Sequence, residues 1–340
     1  MYKDITKPFF VLAPMDDVTD TVFRQMVHVL APADLYMTEF VNVDGLVSAG
    51  RQHLMRKLRF AESEGPLIAQ IWGLNPDNFR LIAEQIADGT IAGELGLPEG
   101  VNFVGVDLNM GCPAKSEVQN GACSALIKPE NRALAKDIID ATKAGLAGQL
   151  PLSVKTRLGF NQIDFSWHEF LLQQDIAALT VHGRTRKQMS KVPAEWDNIG
   201  HIARLRDKIA PQTLVIGNGD VLSREQGDAL AKTYNLDGIM IGRGVFHDPY
   251  VFASESPWKQ KIPAEKIALF RQHVELFSKT WLEGERKIIT LNKFCKIYIN
   301  DFDGAKEMRE TLMAASSAND LLNRLTHCAA VVQYIHEPSA

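Results

Sequence analysis

The residue best suited to chemistry is Cys112, which follows an apolar, strand-like run that starts at Gly105. Pro113 fixes its own φ and biases Cys112 away from helix, so we expect the thiol on a stiff loop at the end of a strand. In a chain with few thiols, such a cysteine is a candidate acid or nucleophile. Free cysteine is also among the most buried residue types, so an inert core residue is the alternative. This segment alone does not decide between the two.

Glycine-rich turns follow two later strand-like runs and predict a phosphate site. Asn218-Gly219-Asp220 follows one run, and Gly242-Arg243-Gly244 follows the next. Backbone N–H groups at such turns can close on a phosphate, and the N-terminus of a short helix beyond them adds its dipole. The Arg243 guanidinium adds a charge-assisted donor. Ordinary tight turns between strands and helices are the alternative.

Polar side chains also end several other predicted strands. Lys155 and Arg157 lie two residues apart and so point to the same side of one strand. A lysine that faces a barrel mouth is costly unless an anion neutralises it, and a reduced flavin, a substrate phosphate or a glutamate of the barrel could do so. Gln70 and Asn109 can both donate and accept, which suits the edge of a flavin or a pyrimidine. His182 precedes a basic loop, which favours a ligand role over a structural one.

Eight short β-rich runs alternate with helical segments and would position these residues. Eight βα units in roughly 250 residues match a (β/α)8 TIM barrel, whose functional groups meet at the carboxyl ends of the strands. A doubly wound sheet would usually carry an early GxGxxG turn, which is absent. We read Thr90–Gly100 as a loop without chemistry. The predicted strands are Phe9–Pro14, Leu35–Glu39, Leu67–Trp72, Phe103–Asn109, Leu152–Arg157, Ala178–His182, Thr213–Gly217 and Gly238–Gly242.

After Gly244 the pattern changes to a proline-punctuated linker and then to helices with no strand between them. We expect a catalytic TIM barrel over residues 1–250, a small all-helical domain over 257–325 and a weakly structured tail over 326–340. The helical domain carries 12 Lys and Arg against 9 Asp and Glu. This excess is modest, so a solvated helix bundle is the alternative to a surface that binds nucleic acid.

Composition excludes several classes of protein. The 340 residues have a formal net charge of −4, which gives no overall basic signature. The four cysteines form no CxxC pair and no metal-type spacing, so neither a metal site nor a disulfide framework is expected. No apolar run approaches about 18 residues, and the N-terminus lacks the apolar region of a signal peptide. The sequence therefore predicts a cytoplasmic protein without a membrane span, and no protein partner is evident.

Several motifs keep one order along the predicted barrel. They are Ala13-Pro14-Met15 with Asp20, Gln70, Asp107-Leu108-Asn109-Met110-Gly111-Cys112-Pro113 with Gly121-Ala122 and Leu126, Val154-Lys155-Thr156-Arg157, His182-Gly183-Arg184-Thr185 with Gln188, Asn218-Gly219-Asp220, and Gly242-Arg243-Gly244. In this order they resemble the tRNA-dihydrouridine synthases of bacterial type, over about residues 9–250. The Cys-Pro segment is the most specific, whereas many FMN barrels share the glycine turns. That family also has a helical C-terminal domain.

The resemblance implies an FMN enzyme that NADPH reduces. Hydride would pass from the flavin to C6 of a uracil ring while Cys112 gives a proton to C5. Such an acid must stay neutral, and a thiol with an ordinary pKa of about 8.5 is mostly protonated at pH 7. By the same resemblance FMN would contact Pro14, Met15, Asp16, Gln70, Lys155, His182, Asn218, Gly219, Asp220, Gly242 and Arg243.

The implied substrate is tRNA, and its target base must be unstacked and drawn into the barrel while basic side chains hold phosphates outside. Asn109 would line the uracil pocket. Lys115, Arg157, Arg184 and Arg186 are the candidates for further substrate contacts beside the site. The helical domain offers Lys279, Arg286, Lys287, Lys293 and Lys296.

Three positions depart from the family pattern, and two other functions stay open. Cys123 stands where the family usually has glycine, and Ser190 and Val192 stand where an aromatic residue and a glycine are common. One alternative is an FMN-dependent TIM barrel that acts on a free small molecule, in the manner of a dihydroorotate or dihydropyrimidine dehydrogenase or an ene-reductase. The other is an RNA-binding protein that has kept the barrel without the flavin.

Overall fold

The structure is a computed structural model that describes residues 5–282 and 284–336. The chain forms two compact units. The barrel unit comprises Met1–Thr21 and Ala33–Arg243, and the helical unit comprises Val22–Pro32 and Gly244–Ala340. Among the described residues, no helix is both long and apolar enough to span a membrane.

Eight parallel strands of the barrel unit close into a ring. Neighbouring strands pair in the order β2-β1-β9-β8-β7-β6-β5-β4, and a pairing between β2 and β4 completes the circle. The ninth, β3, pairs only with the last two residues of β4. The predicted (β/α)8 TIM barrel is confirmed. The strands are β1 (Phe9–Leu12), β2 (Leu35–Met37), β3 (Val41–Asn42), β4 (Leu67–Trp72), β5 (Gly105–Asn109), β6 (Leu152–Arg157), β7 (Ala178–His182), β8 (Leu214–Asn218) and β9 (Gly238–Ile241).

An apolar cluster fills part of the barrel interior. Both faces of these strands are buried, because helices cover the outside and side chains fill the inside. The interior cluster includes Phe9 and Val11 of β1, Ile68 of β4 and Met240 of β9. Polar side chains replace this cluster towards the carboxyl ends of the strands, and the candidate site lies there.

The helices begin and end where the sequence supplies caps. The Asn75 side chain accepts a hydrogen bond from the Asp77 N–H, with Pro76 at the first helical position. Asp164 and Ser223 cap two later helices in the same way. The helices are α1 (Thr21–Leu30), α2 (Val43–Leu46), α3 (Arg51–Met55), α4 (Pro76–Ala87), α5 (Thr90–Glu94), α6 (Lys115–Gln119), α7 (Arg132–Leu146), α8 (Phe165–Leu172), α9 (Trp196–Ile209), α10 (Arg224–Tyr234), α11 (Gly244–His247), α12 (Pro263–Thr280), α13 (Asn292–Tyr298), α14 (Ala305–Met313) and α15 (Ala318–His336).

Two expectations about helices are corrected. The segment predicted as a loop over Thr90–Gly100 starts with α5, because Ile91 and Ala92 are buried and the Asp88 carboxylate accepts from the Thr90 N–H at 2.8 Å. The tail expected to be weakly structured over residues 326–340 is helical as far as His336, and residues 337–340 lie outside the described residues. α15 packs against α12, and the Arg271 guanidinium donates to the Thr326 hydroxyl at 3.0 Å.

The expected boundary of the barrel at residue 250 also differs from the structure. Most of α1 belongs to the helical unit, which resumes at Gly244. The Phe23 ring of α1 lies 4.8 Å from the Phe294 ring and 6.0 Å from the His273 ring, between centroids. This aromatic cluster joins α1 to helices more than two hundred residues later in the chain. Because the partners are so far apart in the sequence, no local pattern predicts that they pack together.

Candidate active site

Backbone contacts hold the Cys112 loop against β6. The Met110 N–H donates to the Lys155 carbonyl at 2.9 Å, and the Thr156 hydroxyl donates to the Met110 carbonyl at 3.0 Å. A Cβ at Gly111 would lie 3.1 Å from the Thr156 backbone, so glycine permits this close approach. The loop therefore carries Cys112 along β6 at the carboxyl ends of the strands.

Two side chains fix the same loop from either side. The Asn109 carboxamide oxygen accepts from the Cys112 N–H at 2.9 Å and from the Gly111 N–H at 3.2 Å. Arg157 donates through Nε to the Gly111 carbonyl at 2.8 Å and through Nη1 to the Met189 carbonyl at 3.1 Å. Arg157 thus positions the cysteine loop, and a contact between Arg157 and substrate stays a prediction.

A network of amides and a carboxylate lies within the barrel next to this loop. The Asp107 carboxylate accepts from the Gln70 carboxamide at 2.8 Å and from the Ser153 hydroxyl at 2.6 Å. The Asn109 carboxamide donates to the Gln70 Oε1 at 3.2 Å. Burial raises the pKa of Asp107 to about 6, although the bonds from Ser153 and Gln70 oppose it. A carboxylate that is mostly ionised at pH 7 therefore sets the orientation of the Gln70 amide.

Lys155 faces this network without a bonded partner. Its ammonium makes no hydrogen bond or ion pair within the described part of the chain, and burial, with the charge of Arg157, lowers its pKa to about 8. The nearby charges of Asp107 and Cys112 offset this only in part. Lys155 is half-buried, and a partly desolvated ammonium without a partner is costly, so an anionic ligand at this position would stabilise the protein.

β7 contributes two buried polar atoms that also lack partners. The Thr180 hydroxyl oxygen and the His182 Nδ1 are buried without a hydrogen bond among the described residues. Burial, and then the charges of Arg157, Lys155 and other nearby cations, hold the pKa of His182 well below its usual value. The imidazole is therefore neutral at pH 7 and can accept or donate one further bond.

The two glycine turns meet at the Asp220 carboxylate. It forms ion pairs with the buried guanidinium of Arg184 and, at 3.1 Å, with the exposed guanidinium of Arg243. It also accepts from the Ala194 N–H at 2.9 Å. Burial opposes the ionised form, but these partners together hold the pKa of Asp220 below its usual value. Gly219 has φ +134°, a conformation that favours glycine, and it precedes this carboxylate directly.

Arg184 is more deeply buried than the other basic residues that were candidates for substrate contacts. We expected it on a loop beside the site as a candidate for substrate contact; it is 2% exposed, and its Nε donates to the Val192 carbonyl. Asp220, which follows 36 residues later, draws the guanidinium into the protein. Arg184 therefore orients Asp220 and the loop at Val192, while its Nη1 is buried without a hydrogen bond among the described residues. A contact between Arg184 and substrate stays a prediction.

A second thiol lies next to Cys112. The loop that carries Cys123 is bonded to the Cys112 loop, because the Ser124 N–H donates to the Cys112 carbonyl at 3.3 Å. Cys112 is half-buried, whereas Cys123 is buried. The neighbouring Cys123 thiol lowers the pKa of Cys112 to about 7, although burial opposes this. We expected an ordinary thiol pKa, so this expectation was wrong. The cause is a neighbour eleven residues later in the chain.

Comparison with known proteins places the chain in a family. A family model described as dihydrouridine synthase (Dus) matches residues 11–334. The chain belongs to the dihydrouridine synthase family. A "probable tRNA-dihydrouridine synthase" of Staphylococcus aureus (strain Mu50) is 43% identical over 320 residues, which are 93% of this chain and 92% of that protein. The "probable tRNA-dihydrouridine synthase 2" of Bacillus subtilis (strain 168) is 42% identical over 325 residues, which are 94% of each.

The other site residues that the family resemblance implied lie at the ends of β8 and β9, in the turn after β1, and at α6 and the loop after β7. At the ends of β8 and β9, the Asn218 carboxamide donates to the Met240 carbonyl at 2.8 Å, and Gly242 lies against Met15. Pro14 and Met15 are half-buried after β1, whereas Asp16 is exposed and ion-paired with Lys57.

Lys115 is exposed at the start of α6, and the Arg186 guanidinium lies 5.3 Å from the centroid of the Phe160 ring. Their contacts with FMN or RNA stay predictions for this member of the dihydrouridine synthase family.

Sequence reasoning missed several polar residues of the site. Ser153 and Thr180 each lie two residues before a predicted site residue on the same strand, and Asp107 lies two residues before Asn109. Side chains two apart share a face of a strand, so this spacing could have identified them. Cys123 was recognised only as a departure from the family pattern, and the contact of its loop with the Cys112 loop had no signal in the sequence.

Proposed function

We propose that this protein is a tRNA-dihydrouridine synthase that reduces the C5–C6 double bond of uridines in tRNA, with FMN as cofactor and NADPH as reductant. The observation that carries the proposal is the placement of the Cys112 thiol at the carboxyl ends of barrel strands, beside unpartnered groups that suit an anionic ring. Membership of the dihydrouridine synthase family supports it, as do relatives whose names include this activity.

The donor set fits a flavin. The Lys155 ammonium and the buried, unpartnered Thr180 hydroxyl and His182 Nδ1 are the groups that an added ligand would satisfy. A reduced flavin is anionic near N1 and O2, so Lys155 would lie at that edge of the ring. Arg243 keeps an exposed guanidinium for the flavin phosphate. FMN, when bound, supplies the hydride for C6.

The chain's own residues would orient the base and transfer the proton. Asn109 keeps one carboxamide N–H beyond the bonds described, which can donate to a uracil carbonyl. The Cys112 thiol would give its proton to C5, so that the S–H bond breaks, a C–H bond forms and the electron pair stays on sulfur. A general acid is most efficient when its pKa is close to the working pH, and a value of about 7 meets that condition. Free thiols in this role suit a reducing compartment such as the cytoplasm.

Both units offer positive charge for the RNA. In the barrel unit, the candidates are Lys115 and Arg186. In the helical unit, a cavity of about 640 Å³ is lined by Lys296, Lys306 and Arg309, among others. Because phosphate contacts dominate the affinity of proteins for nucleic acids, binding of tRNA should weaken steeply as salt rises.

The direct test incubates unmodified tRNA with the purified protein, FMN and NADPH and then measures its nucleosides by mass spectrometry. We expect uridine to gain the mass of two hydrogen atoms. Cys112→Ala should lose this product, whereas Cys328→Ala, which removes a thiol from α15, should retain it. A flavin-loaded protein that NADPH reduces but that leaves every uridine unchanged would contradict the proposed function and favour a small-molecule substrate.

A further inference from the structure

The loop that carries Cys112 is bonded to β6 through the main chain of Met110, two residues before the thiol. The Met110 N–H donates to the Lys155 carbonyl at 2.9 Å. The Met110 carbonyl accepts from the Thr156 hydroxyl at 3.0 Å. Both polar groups of one peptide residue are therefore held by neighbouring residues of a single strand, and of these bonds only the second depends on a side chain.

The Thr156 side chain points away from the site. Side chains alternate along a strand, so Thr156 faces the surrounding helices while Lys155 and Arg157 face the mouth of the barrel. On that outer side the Thr156 hydroxyl contacts α8, where the Trp167 indole donates to it through Nε1–H at 3.0 Å. Thr156 therefore connects the helical layer of the barrel to the loop that carries the thiol.

The direction of both hydrogen bonds follows from the chemistry of the groups. An indole nitrogen can only donate, so the Thr156 oxygen must accept from Trp167, and its own proton is left for the Met110 carbonyl, which can only accept. All three residues are buried, so these groups have little access to competing water. Successive hydrogen bonds also polarise one another, which strengthens the bond to the loop.

α8 is itself fixed firmly enough to act as an anchor. The Trp167 ring stacks on the Phe170 ring, with 5.4 Å between centroids and 22° between planes. The Asp164 carboxylate caps the helix and accepts from the Trp167 N–H at 3.3 Å. The adjacent His168 places its Nε2 3.1 Å from the Arg157 carbonyl. Two consecutive residues of α8 thus contact two consecutive residues of β6.

We propose that Thr156 is a positioning residue for proton transfer, because its hydroxyl, oriented by the Trp167 indole, fixes the Met110 carbonyl and with it the position of the Cys112 thiol. The inference rests on the proposed function. In the transfer, the Cys112 S–H bond breaks, a C–H bond forms at C5 of the uracil and the electron pair stays on sulfur, while Thr156 keeps its own proton. A misplacement of about 1 Å can lower a rate by about 100-fold, so the position of this loop should affect the rate strongly.

Four variants separate the hydrogen bonds from packing. Thr156→Val keeps the shape of the side chain but removes both bonds, whereas Thr156→Ser keeps the hydroxyl. Trp167→Phe keeps an aromatic ring but removes the indole donor. Thr142→Val is the matched control, because Thr142 is equally buried and its hydroxyl donates to a carbonyl within α7, that of Ile138, at 2.7 Å.

Two rates report on the thiol in these variants. The first is the single-turnover rate of dihydrouridine formation by protein loaded with reduced FMN. The second is the rate of Cys112 alkylation by iodoacetamide at pH 9, where the thiol is mostly ionised and the rate reports access to the sulfur. Peptide mass spectrometry identifies the modified residue. FMN affinity and the thermal unfolding temperature are measured on the same samples.

We expect Thr156→Val to lower the single-turnover rate by about 10- to 100-fold. Alkylation of Cys112 should become about 2- to 10-fold faster, the factor that corresponds to the loss of one net hydrogen bond. FMN affinity should not change, because Thr156 faces away from the site. Thr156→Ser should restore both rates, and Trp167→Phe should shift both in the same direction as valine but by less. Thr142→Val should lower the unfolding temperature and leave both rates near those of the wild type.

Wild-type rates in Thr156→Val would overturn the proposal, as would a serine variant no better than the valine one. Equal changes in Thr142→Val would also overturn it, because they would show a general loss of stability. If alkylation changes as expected but the wild-type protein forms no dihydrouridine, the proposed function fails. The role of Thr156 in proton transfer then fails with it, while its bond to the cysteine loop is confirmed.

Discussion

β6 places two cations side by side, and they differ in how the protein treats them. Arg157 donates to the carbonyls of the cysteine loop and of the loop after β7, so the protein itself satisfies it. Lys155, two residues earlier, makes no bond to another described residue and lies near two buried polar atoms that also lack partners. On the thiol side of the site, around Cys112 and Arg157, the protein's own hydrogen bonds hold the groups in place. On the lysine side, around Lys155, Thr180 and His182, polar groups lack partners that an added ligand would supply. We infer that the first side is built to transfer a proton and the second to bind an anionic cofactor.

The largest effect should come from breaking the thiol side. Cys112→Ala removes the proposed proton donor, and general acids contribute about 100-fold or more to rates, so we expect at least that loss in dihydrouridine formation. The lysine side is untouched, so FMN affinity and reduction by NADPH should stay near those of the wild type. Quantitative nucleoside mass spectrometry and flavin absorbance measure the two. A variant that retains full product formation would remove Cys112 from the acid role.

Breaking the lysine side should have the opposite signature. Lys155→Met keeps the length of the side chain but removes the ammonium, and hydrogen bonds to charged groups contribute about 1.5–3 kcal/mol. FMN affinity should therefore fall by about 10- to 100-fold, as measured by quenching of flavin fluorescence. Lys136→Met, at an exposed lysine paired with Asp140 on α7, is the control and should bind FMN normally. Equal affinities in the two variants would contradict the assignment of Lys155.

The two sides should also respond to pH at different places. Lys155 has a pKa of about 8 in the protein without ligand, in the presence of Asp107, Arg157 and Cys112. Its ammonium is present below that pH and is lost above it, so FMN affinity should weaken as pH rises through about 8. Cys112 has a pKa of about 7, so proton transfer should slow as pH rises through that value. Fluorescence titrations of FMN binding and single-turnover rates of dihydrouridine formation over pH 6–9 distinguish the two pH dependences. Lys155→Met should lose the pH dependence of FMN affinity and keep that of proton transfer.

The smallest effect is expected at the rim of the lysine side. Arg243 is 58% exposed, and its pair with Asp220 is 3.1 Å long, so Arg243→Ala should lower the free energy of unfolding by less than about 1 kcal/mol. FMN affinity should nevertheless fall, because the exposed guanidinium is the proposed phosphate donor. Thermal unfolding without FMN and fluorescence quenching with it measure the two effects. A loss of stability without a loss of affinity would assign Arg243 a structural role instead.

The sequence predicted the barrel well because burial on both faces leaves a local signature. Each of the eight strands has its own apolar run, and their carboxyl ends carry the polar residues that define the site. What could not be predicted depends on pairings between distant segments. Asp220 draws Arg184 into the protein, and the Ser124 N–H brings Cys123 to Cys112. Likewise, the Phe23 ring reaches Phe294, so α1 joins the helical unit. Each partner looks ordinary within its own segment, because the chemistry arises only when the loops meet.

The most direct test of this division of labour is a single turnover without oxygen. Protein loaded with reduced FMN is mixed with unmodified tRNA, and flavin reoxidation and dihydrouridine are measured in the same sample. We predict that each reduced flavin that is reoxidised yields one dihydrouridine, and that Cys112→Ala keeps its flavin reduced over the time in which the wild type completes the reaction. Flavin that stays reduced in the wild type with tRNA present, or reoxidation without dihydrouridine, would contradict the account.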